Sequence, residues 1–144
     1  MPSAPRSSAS TRAISSALLA LAVGCAHAPA KLDGTSWQLA AIRGGDGTLR
    51  QPDDASRYTL TFEPEGVLTA RIDCNRARGA WKSPAPGRLE FGPMAATRAQ
   101  CPPGSLHDVV MRQLPFVRSY VIRDRRLYLS LMADGGTLEF EPSP

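Results

Sequence analysis

The chain has 144 residues, a formal net charge of +4 and a hydrophobic fraction of 42%. This length suits one domain, and the charge is too close to neutrality for a typical nucleic-acid-binding protein. Without the two N-terminal arginines, Arg6 and Arg12, 15 basic side chains face 13 acidic ones, so we expect no nucleic-acid partner.

The N-terminal segment has the pattern of an export signal. Arg6 and Arg12 precede an apolar run over residues 14–23, and the first acidic residue is Asp33. Spanning a bilayer takes about 20 apolar residues, so this shorter run predicts a signal peptide and not a transmembrane helix. We therefore expect residues 1–24 to be removed.

The signal peptide ends in Ala22-Val23-Gly24-Cys25, which resembles a lipobox. The resemblance implies lipidation of Cys25, cleavage before it and, with Ala26 next, sorting to the outer membrane. Two or three acyl chains would hold the protein stably, since each buried methylene contributes about 0.8 kcal/mol. Residues 25–32 would be the tether of a lipoprotein facing the periplasm. The alternative is a soluble secreted or periplasmic protein.

From Thr35 onward, apolar and polar residues alternate, which predicts half-buried β-strands. Turns rich in Gly and Pro are predicted at residues 44–47 and 64–66. Weaker strands are predicted at Ala77–Lys82 and Arg88–Phe91, with a proline-containing loop between them. The apolar positions of the three stronger strands are Trp37, Leu39 and Ala41; Tyr58, Leu60 and Phe62; and Leu68, Ala70 and Ile72.

One helix interrupts the strands. It is predicted to begin at Ser105, whose hydroxyl would accept a hydrogen bond from the amide of Asp108. Pro115 cannot donate an intrahelical bond, so the helix should end near Leu114 after two to three turns. Its apolar side predicts packing against the inner face of the sheet.

The last third of the chain predicts a three-stranded meander, with turns at Asp124-Arg125 and at residues 134–136. Its alternating apolar residues are Tyr120 and Ile122; Leu127, Leu129 and Leu131; and Leu138 and Phe140. The whole pattern predicts one α+β domain over residues 33–142. Its antiparallel sheet should curl into a partial barrel around the short helix.

Cys74 and Cys101 form an even pair in a chain that we expect to be exported, which predicts a disulfide. On the chain-entropy model, closing this loop of about 27 residues would stabilise the fold by roughly 3.5 kcal/mol.

Two segments carry a family resemblance: Asp73-Cys74-Asn75-Arg76-Ala77-Arg78-Gly79-Ala80-Trp81 and Met94-Ala95-Ala96-Thr97-Arg98-Ala99-Gln100-Cys101-Pro102. With the helix and meander that follow, they resemble the META/HslJ family over residues 32 to 142. The resemblance implies a compact β-rich domain, often a lipoprotein, linked to heat shock and the stress response, antibiotic tolerance or secretion. It implies no established reaction. The family usually has Gly at position 73 and bulky aromatics at positions 77 and 78.

The polar residues of the two motifs are Asn75, Arg76, Thr97 and Arg98, which a Cys74–Cys101 bridge would bring together. One interpretation is a ligand site in which both guanidinium groups hold a carboxylate or phosphate. The other is structural: Asn75 and Thr97 bond turn backbone, while the arginines bond buried carbonyls or pair with Asp73.

Signals for catalysis are weak. The two cysteines form no Cys-x-x-Cys, which disfavours a thiol-disulfide oxidoreductase, and His107 is the only histidine of the predicted domain. We therefore expect no catalytic residues, metal or cofactor, and predict a module that binds or stabilises an envelope protein. The alternative is a periplasmic inhibitor of an enzyme such as a lysozyme or a protease.

Overall fold

A computed structural model describes residues 1–4 and 31–144. Cys25, most of the predicted signal peptide and most of the tether lie outside the described residues. In chain order, the strands and the α-helix of the described chain are β1 (Thr35–Gly44), β2 (Leu49–Arg50), β3 (Tyr58–Glu63), β4 (Val67–Ile72), β5 (Asn75–Lys82), β6 (Glu90–Ala96), α1 (His107–Gln113), β7 (Val117–Arg123), β8 (Arg126–Leu131) and β9 (Gly136–Pro142).

The strands form one antiparallel sheet in the order β6-β5-β4-β3-β1-β9-β8-β7, with β2 beside β1. The two ends of the sheet approach each other. The Leu89 N–H donates to the Arg118 carbonyl (3.1 Å), and the Tyr120 N–H donates to the Gly87 carbonyl (2.9 Å). The sheet therefore curls into a partial barrel with one short helix, which confirms the predicted α+β architecture.

The interior of the barrel is the hydrophobic core. The period-two alternation of side chains along a strand puts one set inside, and the predicted inward residues of β3 and β4 are all buried. Val110 of α1 and Leu114 just after it are also buried, so the helix packs against the inner face as expected.

Leu32 is only 2% exposed and belongs to the same core. The hydrophobic core therefore includes a side chain one residue before the predicted start of the domain at residue 33. The residues of the described core run from Leu32 to Phe140. The core residues and both bridging cysteines therefore all fall within residues 31–144. A segment of this size buries enough surface to be stable, so we expect it to fold on its own.

The start of α1 differs from the prediction. The helix begins at His107, and the Ser105 hydroxyl accepts from the His107 amide (3.1 Å), not from that of Asp108. Leu106 occupies the cap position, and its N–H donates to the Tyr58 hydroxyl on β3 (2.9 Å). This bond joins the start of the helix to β3. The helix ends as predicted, with a 3-10 turn at Leu114–Phe116.

Two strands also have different bounds. β5 begins two residues before the predicted start at Ala77, and β6 begins at Glu90 and continues to Ala96. Arg88 forms only an isolated bridge with Ser119 of β7. Residues 88 and 89 were therefore wrongly assigned to the strand, because the backbone bond of Leu89 and the bridge of Arg88 instead join the two ends of the sheet.

Candidate functional site

Cys74 and Cys101 form a disulfide, and their Cα atoms lie 5.4 Å apart. Cys74 sits in the turn between β4 and β5, and Cys101 sits in the loop between β6 and α1. We call residues 73–76 together with residues 97–101 the disulfide corner. It contains all four residues that the sequence motifs put forward as a ligand site.

Asn75 is the central polar residue of the corner and is only 1% exposed. Its Nδ2 donates to the Ala99 carbonyl (2.9 Å), and its Oδ1 accepts from the Ala99 N–H (2.8 Å) and the Thr97 hydroxyl (2.8 Å). The amide thus bonds both backbone groups of one loop residue, as a strand neighbour would. Its role in the structure is to hold the loop.

Thr97 completes this network. Its hydroxyl accepts from the Arg76 amide (3.0 Å) while donating to Asn75, and its own amide donates to the Arg76 carbonyl (2.9 Å). The polar atoms of Asn75 and the hydroxyl of Thr97 are therefore engaged within the protein. This agrees with the structural interpretation of these two residues.

Asp73 has a positive φ of 58°, a conformation that glycine adopts at little cost and that aspartate tolerates better than most residues. This explains why the family usually has Gly here. The Asp73 carboxylate is 1% exposed in its side chain and forms an ion pair with Arg57. The structural interpretation offered Arg76 and Arg98 as possible partners of Asp73, but the partner is Arg57, which is carried by the 3-10 turn at Ala55–Arg57.

The turn that carries Arg57 is capped by Asp54, whose carboxylate accepts from the Ser56 hydroxyl (2.6 Å) and the Ser56 amide (2.9 Å). The hydroxyl bond is the main cause that lowers the pKa of Asp54, followed by the amide bond. The local cap thus orients the residue that neutralises the buried Asp73.

Arg76 and Arg98 are exposed, and neither side chain forms a hydrogen bond or ion pair within the described part of the chain. Arg98 lines a groove beside α1, whereas Arg76 lines depressions on the outer face of the sheet. The four predicted ligand residues lie in one corner, but their side chains do not converge on one surface. Two of them hold the loop, and the two arginines serve different surfaces.

The groove beside α1 has a volume of about 480 Å³ and is lined by residues 97–102 and by Gly104, Ser105, His107 and Asp108. His107 Nδ1 lies 2.9 Å from an Asp108 carboxylate oxygen, and His107 Nε2 is buried without a partner. Among residues 1–4 and 31–144, no group of three or more His, Cys, Asp or Glu side chains could hold a metal ion.

A second groove, also about 480 Å³, is apolar and lies between β6 and α1. We call it the β6 groove; it is lined by Phe91, Gly92, Pro93, Met94, Met111 and Pro115. The Phe91 ring packs 6.1 Å from the ring of Phe62, which is fully buried, so the core supports the groove wall. Sequence reasoning missed this site because its walls come from two separate segments.

A family model described as the META domain matches residues 30–144. A protein from Burkholderia xenovorans, solved by NMR, is similar in structure with a TM-score of 0.67 and 27% identity, covering 88% of this chain and 99% of the other. A DUF4847 family protein from Bacteroides vulgatus ATCC 8482 has a TM-score of 0.57 at 14% identity, covering 75% and 92% of the two chains, which shows the fold alone. None of the curated proteins matches this sequence.

Within the part of the chain that the structure describes, no helix has the length and apolar character needed to cross a membrane.

Proposed function

This chain belongs to the META domain family, and we propose that it is a non-catalytic, lipid-anchored envelope protein that binds an extended segment of a partner protein in the β6 groove. The observation that carries the proposal is an apolar groove beside β6, the strand at one end of the sheet order. An extended apolar segment has the chemistry that such an apolar groove can bind.

The strand edge supports the choice of an extended partner. β5 pairs with one edge of β6, and no strand of the described chain pairs along its other edge. Unpaired N–H and C=O groups can accept a further strand from another protein. Main-chain bonds of this kind do not depend on the partner's sequence, which suits a protein that stabilises several clients.

The side chains of the groove support the same partner class. Met94 and Met111 are partly exposed while packing against the core. Methionine is flexible and polarisable, so it adapts to different apolar side chains. A partly unfolded envelope protein offers such side chains on extended backbone. This is the function we would expect of a protein linked to stress tolerance or secretion.

The anchor is the second part of the proposal. Lipidation of Cys25 would place the domain in the periplasm on the inner side of the outer membrane. The Cys74–Cys101 bridge supports export, because disulfides persist mainly outside the cytosol. Metabolic labelling with palmitate should mark the mature chain, and Cys25→Ser should abolish the label. An unlabelled wild-type chain would refute the anchor.

The groove is tested by Met111→Gln, with Leu49→Gln as a control on β2, where Leu49 is 52% exposed. Wild type should suppress aggregation of several heat-unfolded envelope proteins, measured by light scattering. Met111→Gln removes one methionine contact that the bound partner would bury. About tenfold more of this variant should be needed for the same suppression of aggregation. The control should behave as wild type, and thermal unfolding should show both variants folded.

Two results would contradict this function. Equal effects of the groove variant and its control would show that the groove is not the contact surface. A saturable effect on one purified lysozyme or protease, without suppression of aggregation, would instead identify the protein as an enzyme inhibitor.

A further inference from the structure

The outer face of three neighbouring strands carries a basic, hydroxyl-rich surface that the proposed function does not use. We call it the arginine face; it consists of Thr59 and Thr61 on β3, Thr69 and Arg71 on β4, and Arg76 and Arg78 on β5. The strand register makes these residues neighbours. Arg71 lies opposite Arg76, and Thr69 lies opposite both Thr61 and Arg78.

The positive charge of this face is poorly balanced. Like charges directly opposite each other on a sheet destabilise it, and Arg71 and Arg76 form such a pair. Glu63 is the one carboxylate at the outward positions of these three strands; it accepts a hydrogen bond from the Thr69 hydroxyl (2.9 Å) and lies 3.9 Å from the exposed Arg78. An ion pair of this kind contributes little. The nearby Asp73 is buried in its pair with Arg57.

The arginines are placed to receive an anion. Arg71 donates from Nε only to the Asp73 carbonyl (3.3 Å), and the Arg76 side chain makes no polar contact within the described residues. Shallow depressions of about 370 and 460 Å³ flank them, and both are lined by Thr69 and Arg76. Guanidinium groups beside hydroxyls suit phosphate oxygens, which accept several hydrogen bonds at once.

The path of the chain brings this face near the predicted anchor. Leu32 is fixed in the core only seven residues after Cys25, so an extended tether reaches at most about 25 Å. Ser36 follows on the outer side of β1, with its hydroxyl 3.0 Å from that of Thr61. The row Ser36–Thr61–Thr69–Arg78 then crosses adjacent strands over roughly 15 Å.

We infer that the arginine face lies against the phosphate headgroups of the membrane that holds the lipid anchor. The inference rests on the proposed anchor for the position of the membrane. The short tether keeps the domain close to the bilayer, and the face beside the tether has the charge that anionic lipids attract. The β6 groove lies at the end of the sheet order, beyond the arginines, and stays available for a partner.

The test uses residues 26–144, which contain the described core and the disulfide and lack the lipid. Binding to phosphatidylcholine vesicles with and without phosphatidylglycerol is measured by cosedimentation. Wild type should bind the anionic vesicles, and more weakly as salt screens the charges. Replacing Arg71, Arg76 and Arg78 by Gln should weaken binding about a hundredfold, since three arginines each contribute about fivefold.

The control replaces Arg123, Arg125 and Arg126 by Gln, which removes the same charge from the exposed β7–β8 hairpin. This variant should bind within about threefold of wild type if position and not net charge decides affinity. Equal losses in the two variants would overturn the inference, and so would absence of wild-type binding to anionic vesicles. Binding of inorganic phosphate without binding of vesicles would also overturn it.

Palmitate labelling tests the anchor separately. If the face binds vesicles and Cys25 stays unlabelled, the face is supported and the anchor is refuted. If Cys25 is labelled and the vesicles are not bound, the anchor is supported and the arginine face is not its contact surface.

Discussion

Replacing Asn75 by Ala should destabilise the domain without changing binding at the β6 groove or at the arginine face. The substitution removes three hydrogen bonds of 2.8–2.9 Å, two to the backbone of Ala99 and one to the Thr97 hydroxyl. Each bond contributes about 1 kcal/mol. Ala99 and Thr97 are exposed, so water can recover part of this loss. We expect a total of about 2–3 kcal/mol.

The assay is urea and thermal unfolding of residues 26–144 under non-reducing conditions, followed by tryptophan fluorescence and circular dichroism. For a domain of this size, the expected loss lowers Tm by about 10 °C. Arg98→Ala is the matched control from the same loop, and it should change stability by less than about 0.5 kcal/mol because the side chain is exposed and unpaired.

A loss below about 0.5 kcal/mol for Asn75→Ala would refute the structural role of the network. So would unchanged stability combined with lost binding of an anion such as inorganic phosphate. That second result would restore the ligand-site interpretation of the two motifs.

Three other outcomes are expected. Replacing both bridging cysteines by Ser should cost about 3.5 kcal/mol in urea unfolding, since the bridge closes a separation of 27 residues; a loss below about 1 kcal/mol would contradict this. Arg57→Ala should lower the free energy of unfolding by about 2–3 kcal/mol, because it leaves the buried Asp73 carboxylate unpaired. Adding Asp73→Gly to this variant should restore most of that stability. If the losses of the two single variants instead add up in the double variant, the pairing is ruled out. The hydroxyl of Ser56 is the main cause that lowers the pKa of Asp54 in the folded protein. The Asp54 carboxylate therefore stabilises the fold above its unfolded pKa, and this stabilisation is lost as pH falls through its folded pKa. Carboxyl titration by NMR should show that Ser56→Ala raises the folded pKa of Asp54.

Part of the candidate site could be predicted from the sequence. The positive φ of Asp73 agrees with a position where the family usually has Gly, and the even cysteine pair pointed to the bridge. The arginine face also had a signal. With β4 and β5 as a hairpin about residues 73–74, Arg71 and Arg76 fall opposite each other on the polar side.

Other features had no usable local signal. The Arg57 turn and β2 are only three and two residues long, too short for a periodic pattern. The β6 groove combines residues near position 92 with Met111 and Pro115 of a different element. The partner of Asp73 is 16 residues away along the chain, and several other arginines were equally plausible before the fold was known.

The amino-acid pattern by itself determined the α+β class, the inward residues of β3 and β4, the end of the helix before Pro115 and the family. It missed the buried Ile42 of β1 and Val117 of β7, because bulges shift the alternation in those two strands. The features that it determined depend on local rules: a period of two along strands, the missing N–H of proline, and motif order. Only the tertiary structure decided which polar groups pair, where the helix begins and which surfaces stay open. Those outcomes depend on strand register and on how tightly the sheet curls, because both bring together residues that are distant in the chain.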